Sequence, residues 1–433
     1  MKNQEWLARS QTALWHPCTQ MKWHERHPQI PISRAEGCWL EDFDGNRYLD
    51  GISSWWVNLF GHRHPGIVAA LKEQLDILDH VMLAGLTHST VVELSERLSG
   101  LTQGALGHCF YGSDGASATE VALKMSAHYW KNHGHPAKSG FVALAGSYHG
   151  ETLGSLGVTD IPLFREAYAD LIRGCAIIPG PDERAGEEAA QRSLEALARY
   201  LEQHHNRTAA LIMEPLVQAA AGMVFHAPGF VQQASRLCHE YGVHLIADEI
   251  AVGFGRTGTF FAHEQAGIRP DFLCLSKGIT GGFLPLSVVM TTHDVFDAFY
   301  DDQLDRGFLH SHSYTGNPLA CRAALTVLDI FRDEKVLESN QVKQEQWRPL
   351  FESLSGLSVV RNLRQRGMIW AFDVVTERSD FSMAFHRAAL DEGLLLRPIG
   401  RTVYFMPPYV INEDEFRFMI DKVHVLLSGT LPS

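Results

Sequence analysis

The stretch 271–282, DFLCLSKGITGG, constrains the fold of this 433-residue chain more than any other. Phe272, Leu273, Cys274 and Leu275 form an unbroken apolar run between turn residues. Such a run suits a strand buried on both faces, as in a parallel sheet. Lys277 follows it, at the strand end where open α/β sheets place ligands. Lysine is strongly hydrated and seldom buried without a partner. Its amine becomes a useful nucleophile when desolvation or a nearby cation lowers its pKa. Lys277 is therefore the candidate nucleophile, an amine able to condense with a carbonyl. Taken alone, the stretch also fits a solvated lysine that follows a strand.

The same pattern recurs upstream. Apolar runs at 141–145, 209–213 and 242–247 lead into Gly146, into Glu214-Pro215 and into Asp248-Glu249. Helical spacing covers 65–80, 91–101 and 118–130, and a stretch at 182–203 rich in Glu, Ala and Arg reads as a solvated helix. Strands alternating with helices predict an α/β fold with a mostly parallel, doubly wound central sheet. Parallel strands share a C-terminal edge, so Glu214, Asp248 and Lys277 are expected to converge there. Any one of them reads as a loop charge; three on one edge point to a site. A further strand is expected over 286–291, and a smaller α+β lobe from residue 333. The expected division is a large domain over 61–325 and a small one built from 1–60 and 326–433.

Residues 1–60 read as an irregular, aromatic-rich leading segment. Within it, 38–50 reads as a hairpin turning at Asp44-Gly45-Asn46. Trp55 and Trp56 follow; on extended backbone they face opposite ways, so one packs in the core and the other faces an interface or a substrate. At 108–117 a strand, a small-residue turn and a helix start are expected. Gly115 lets backbone N–H groups approach an anion at the helix N-terminus, although Ser113 and Asp114 there also fit ordinary capping. Tyr148 offers a stackable ring in the loop after the 141–145 strand. The stretch 253–258, GFGRTG, fits G-x-G-x-x-G but is followed by Thr259-Phe260-Phe261 rather than a helix, so it reads as a structural loop. His310 and His312 lack a third clear ligand for a metal, whereas Ser313 offers a hydroxyl to an anion. Arg397, after Leu394–Leu396, is placed to meet a carboxylate or to form a surface ion pair.

Bulk properties exclude several classes. A formal net charge of -13 argues against nucleic acid or an anionic membrane as the main partner. No stretch approaches the ~18 apolar residues of a membrane helix, and the N-terminus lacks the apolar core of a signal peptide. The seven cysteines are scattered, odd in number and without CxxC spacing. That predicts reduced thiols in a cytoplasm rather than a disulfide framework or a zinc site.

Glu214-Pro215, the stretch 247–250, the GFGRTG loop and Ser276-Lys277-Gly278 occur in the order and spacing of one family. Together they resemble the class III aminotransferases of the fold type I pyridoxal-phosphate enzymes, over nearly the whole chain. Trp15-His16-Pro17, the stretches 50–56 and 61–65, and Thr315-Gly316-Asn317-Pro318 are more narrowly similar to the biotin-pathway branch. The resemblance implies pyridoxal 5′-phosphate as cofactor, S-adenosylmethionine as amino donor, 8-amino-7-oxononanoate as amino acceptor and a cytoplasmic homodimer with shared sites. It implies that Lys277 carries the cofactor and shuttles the proton, and that Asp248 pairs with the pyridine nitrogen. Asp114, Gly115 and Ala116 hold the phosphate, with Ser313 and His312 completing the cup and Ser313 coming from the neighbouring subunit. Tyr148 stacks near the ring, and Glu214 orients residues near the phenolic oxygen. Trp55, Ser311, Cys18 and Arg397 line the substrate site, Arg397 as a bidentate fork for a carboxylate. Most members carry an aromatic residue where Cys18 stands, and some carry Gly-Pro where Ser311-His312 stands. A same-fold aminotransferase drawing on lysine, an ω-amino acid or a diamine is the nearest alternative. An aminomutase and a non-catalytic binding relative are more distant ones.

Overall fold

The computed structural model describes residues 2–429. Strands are numbered in chain order. β1 (Ile32–Glu36), β2 (Trp39–Asp42) and β3 (Arg47–Asp50) form an antiparallel meander. The β2–β3 turn is the expected tight one, with Gly45 at φ 89°. The leading segment is more regular than its sequence suggests, because Asn3–Ala13 is a helix.

β4 (His108–Gly112), β5 (Gly140–Leu144), β6 (Ala176–Ile178) and β7 (Thr208–Met213) belong to the large sheet. A short hairpin follows, β8 (Val217–Gln218) with β9 (Val224–Phe225). The large sheet then gains β10 (His244–Asp248), β11 (Phe272–Leu275) and β12 (Ser287–Thr291). Its order is β4-β12-β11-β10-β7-β5-β6. Only β12 runs against the others, pairing antiparallel with both β11 and β4. β11 is therefore parallel to one neighbour only, which its apolar run could not reveal, since such a run reads alike in either direction.

Both faces of this sheet are buried, and the alternation of side chains shows how. Ala210, Ile212, Phe272, Cys274 and Val289 pack on one side with the helix Gly115–Asn132. Leu211, Met213, Leu273, Leu275, Val288 and Met290 pack on the other, with Phe230, Val231 and Ala234 of the helix Pro228–Glu240. Successive residues alternate faces, so a continuous apolar run fills two cores at once. The helix Glu187–His204 is amphipathic rather than solvated all round, because Leu194, Leu197 and Leu201 enter the second core.

β13 (Val360–Arg366), β14 (Ile369–Val374) and β16 (Thr402–Phe405) make an antiparallel sheet in the C-terminal part. β15 (Leu394–Leu395) instead pairs parallel with β3, joining the C-terminal part to the leading segment. The GFGRTG loop is one of the clips between these parts. Arg256 is fully buried, and its guanidinium donates to Pro407 O at 2.8 Å and Asn58 O at 3.1 Å. It also lies 4.9 Å from the Tyr409 ring, whose hydroxyl donates to Phe254 O at 2.6 Å. A glycine-rich loop that positions a buried arginine has no free helix start for a dinucleotide. Replacing Arg256 with Met orphans these buried carbonyls, each at about 1–3 kcal/mol. The expected result is a lower urea midpoint with an unchanged m-value, checked by equilibrium denaturation.

Trp55 and Trp56 are not on extended backbone. Ser53, Ser54, Trp55 and Trp56 have φ of 51°, 46°, 74° and 72°, a left-handed turn. The two indoles still divide as expected: Trp56 is buried, and Trp55 is 46% exposed.

Candidate active site

β7, β10 and β11 lie side by side and parallel, so Glu214, Asp248 and Lys277 emerge at one edge. Asp248 is the last residue of β10 and is buried. Its Oδ2 accepts from His149 Nδ1 at 2.6 Å, and its Oδ1 accepts from the Ile250 backbone N–H at 3.1 Å. His149 is also buried, in the loop that follows β5. Sequence reasoning named Tyr148 in that loop and missed His149 beside it.

Lys277 opens a short 3₁₀ turn with φ 48°, and its Nζ lies 5.2 Å from the Trp56 ring. Burial pushes its pKa below the ordinary lysine value, while Asp248 and Glu214 pull it back up. The sign favours a larger share of neutral amine, the form a nucleophile needs. Glu214 is held well above the usual carboxylate range, first by burial and then by repulsion from Asp248; Lys277 and the Tyr148 and Ala219 backbone amides oppose this. Its Oε2 is buried without a partner, as is His149 Nε2. Two orphaned polar atoms beside a desolvated amine mark a site shaped for a polar guest.

A third edge of the site is the start of the helix Gly115–Asn132. Asp114 is its N-cap, with Oδ1 accepting from Ser117 N at 2.8 Å and Ser117 Oγ at 3.0 Å. The Asp114 carboxylate is thus spent on the cap, and the anion-binding groups on offer are the N–H groups of Gly115 and Ala116. Close packing forms this corner. A Cβ on Gly150 would lie 2.5 Å from Ala116 Cβ, and one on Gly115 would lie 2.9 Å from Ile250 Cγ2. His312 reaches the same corner, with Nδ1 3.1 Å from Ser113 Oγ. Ser311 and Ser313 are exposed beside it in the chain.

The family model for class III aminotransferases matches residues 20–427. The chain belongs to that family. Among its curated relatives, the adenosylmethionine-8-amino-7-oxononanoate aminotransferase of Helicobacter pylori is 45% identical over 93% of each chain. A crystal structure of the enzyme of the same name from Methanocaldococcus jannaschii superposes with a TM-score of 0.92 at 32% identity, covering 97% of this chain and 98% of that one. An amine transaminase from an uncultivated Pseudomonas species, solved in its PLP-bound form, gives 0.90 at 29% identity over 96% and 98%.

In this class III aminotransferase the remaining candidates form a second cluster at the mouth. The Arg397 guanidinium carbon lies 5.1 Å from the exposed Trp55 ring. Among the described residues Arg397 makes no ion pair of its own, so the surface-pair reading has no partner here. Tyr148 is half-buried, donates to Glu151 Oε1 at 2.8 Å and packs 5.5 Å from Phe164. Burial and Glu151 raise its phenol pKa. Cys18 is exposed at φ 56°, and burial of its sulfur and then Glu151 raise its thiol pKa, while Arg397 lowers it. Trp15, Cys18, Glu151, Leu163, Phe164 and Tyr168 line a cavity of about 430 Å³ next to Tyr148.

Proposed function

We propose that this aminotransferase moves the amino group of S-adenosylmethionine to 8-amino-7-oxononanoate, giving 7,8-diaminononanoate for biotin synthesis. The carrying observation is a desolvated Lys277 converging with Asp248 and Glu214, in a chain whose curated relatives share that activity in their names. Pyridoxal 5′-phosphate fits the residues present: orphaned N–H groups at a helix start for its phosphate, a buried carboxylate for its ring nitrogen and a lowered lysine for its carbonyl. When bound, it supplies a carbonyl for amines and a protonated ring that takes up the electron pair left when a Cα proton departs.

The chain's own residues do the rest. Lys277 holds the cofactor and carries the proton between its amine and the substrate carbon. Asp248, oriented by His149, faces the pyridine nitrogen and favours its charged form. Gly115 and Ala116 receive the phosphate through backbone N–H groups. Ser313 is assigned to complete that cup from a second copy of the chain in a homodimer, whereas His312 meets the corner within one chain, at Ser113 Oγ. Tyr148 covers the ring, and Glu214 orients the groups near the phenolic oxygen. Trp55, Cys18 and Ser311 line the substrate path, and Arg397 takes the carboxylate end of the acceptor as a two-pronged donor.

Arg397→Ala raises KM for the carboxylate-bearing acceptor by about tenfold or more, from loss of a charged hydrogen-bonded pair of about 1.5–3 kcal/mol. Steady-state kinetics check this, and an unchanged KM moves the carboxylate site elsewhere. The functional reading itself is tested by following the visible absorbance of the bound cofactor. S-adenosylmethionine alone bleaches it, and 8-amino-7-oxononanoate restores it. Bleaching by lysine or a diamine, with S-adenosylmethionine inert, keeps the chemistry and replaces the donor.

A further inference from the structure

The turn at 53–56 sets two parts of the site, and its backbone is one that L-residues avoid. Ser54 and Trp55 have ψ of 52° and 45°, so they are left-handed helical in both angles. Each non-glycine residue there is disfavoured, and a run of four persists only where the surroundings impose it. The imposing group is Asp50, whose side chain is fully buried. Its Oδ1 accepts from the backbone N–H of Ser54 at 2.9 Å and of Ile52 at 3.3 Å. Its Oδ2 accepts from Ser54 Oγ at 2.7 Å and from His62 Nε2 at 3.1 Å. Ser53 Oγ donates to Met406 O at 2.7 Å and ties the turn down from the other side.

The consequence is the aim of two indoles. Extended backbone would send neighbouring side chains to opposite faces. The left-handed turn instead brings Trp56 to Lys277, with Nε1 donating to Tyr404 Oη at 3.0 Å, and leaves Trp55 beside Arg397. We propose that Asp50 is a positioning residue for acceptor specificity: its buried carboxylate holds the left-handed turn and so fixes the Trp55–Arg397 pair that receives the aliphatic chain and carboxylate end of the acceptor. This rests on the acceptor assigned above. Asp50 acts through the turn and touches neither acceptor nor cofactor.

The test compares the cofactor-loaded wild type with Asp50→Asn and Ser54→Ala. Asn at 50 keeps one acceptor oxygen and loses the one facing Ser54 Oγ and His62. Ser54→Ala keeps the carboxylate and removes a single donor. The probe is nonanoate, an unreactive nine-carbon monocarboxylate, titrated by calorimetry. Asp50→Asn should raise its Kd and the acceptor KM by about tenfold or more, and Ser54→Ala by about threefold, with kcat and cofactor retention nearly unchanged because the hydrogen bond to Tyr404 still holds Trp56. If Asp50→Asn does not fold, Ser54→Ala decides. Unchanged Kd in both variants overturns the proposal, as does a loss that falls on kcat and cofactor retention instead. A wild type that ignores nonanoate overturns the acceptor assignment rather than the clamp. The clamp is then decided by acrylamide quenching of Trp55, taken as the difference from the same protein carrying Trp55→Phe. Quenching that does not change in Asp50→Asn or Ser54→Ala overturns it.

Discussion

Lys277→Ala abolishes amino transfer. The expected loss is about 10⁴-fold or more, the upper end of what a positioned proton carrier contributes, because the same variant also removes the nucleophile. The structure explains why no neighbour substitutes. Asp248 and Glu214 are the titratable groups acting on the Lys277 amine, and a carboxyl group cannot form the covalent link to the cofactor's carbonyl that an amine forms. The nearby Trp56 ring offers no proton carrier. Non-covalent retention of the cofactor is expected, through the contacts proposed at the helix start and Asp248, but borohydride no longer fixes it to the chain. Both statements are checked together, by turnover assay and by mass spectrometry of the reduced protein. Retained transfer at even a hundredth of the wild-type rate moves the proton carrier to another residue. The lowered lysine pKa adds a pH signature. Burial disfavours the ammonium, so the neutral amine is populated at lower pH than for a free lysine.

Much of this site was legible in the sequence because it sits on strand ends. A continuous apolar run closed by one ionisable residue places that residue at a sheet edge, and three such runs put Glu214, Asp248 and Lys277 together. His149 was less legible. It sits past β5, which is separated from β10 by β7, and strand order is not written in any one strand. A usable signal was there nonetheless: a histidine in the loop after one strand, in a chain with an Asp at the end of another. The capping role of Asp114 was legible, since Ser113 and Asp114 before a small-residue helix start fit an N-cap, and the Asp114 carboxylate accepts from Ser117 N. The left-handed turn at 53–56 was not legible, because no glycine marks it. Side-chain hydrogen bonds to Asp50, from the Ser54 backbone N–H and hydroxyl and from His62, override the intrinsic backbone preference. The direction of β12 was hidden for a related reason: burial on both faces depends on its neighbours, and an antiparallel strand there is as well covered as a parallel one.

Asp248→Asn has the second largest expected effect, and part of it acts through His149. The substitution keeps the shape of the side chain. It removes the negative charge proposed to face the cofactor ring and weakens the acceptor of the 2.6 Å hydrogen bond from His149. Both partners are buried, so water does not take over either role. Against a protonated ring nitrogen, as proposed above, removing one partner of a buried charged pair costs about 3–5 kcal/mol. If that loss falls on the transition state, kcat drops by about 10²- to 10⁴-fold at ~1.4 kcal/mol per decade. The loss belongs in kcat, because the ring's charge matters most when the electron pair of the departing Cα proton is being taken up. Single-turnover kinetics with the donor alone separate this from acceptor binding, and the visible spectrum of the loaded enzyme reports the changed charge on the ring. Asp248→Glu restores the charge without the geometry and should recover part of the loss. A kcat within threefold of wild type in Asp248→Asn would place the ring nitrogen against another group, leaving the Asp248–His149 pair a structural role alone.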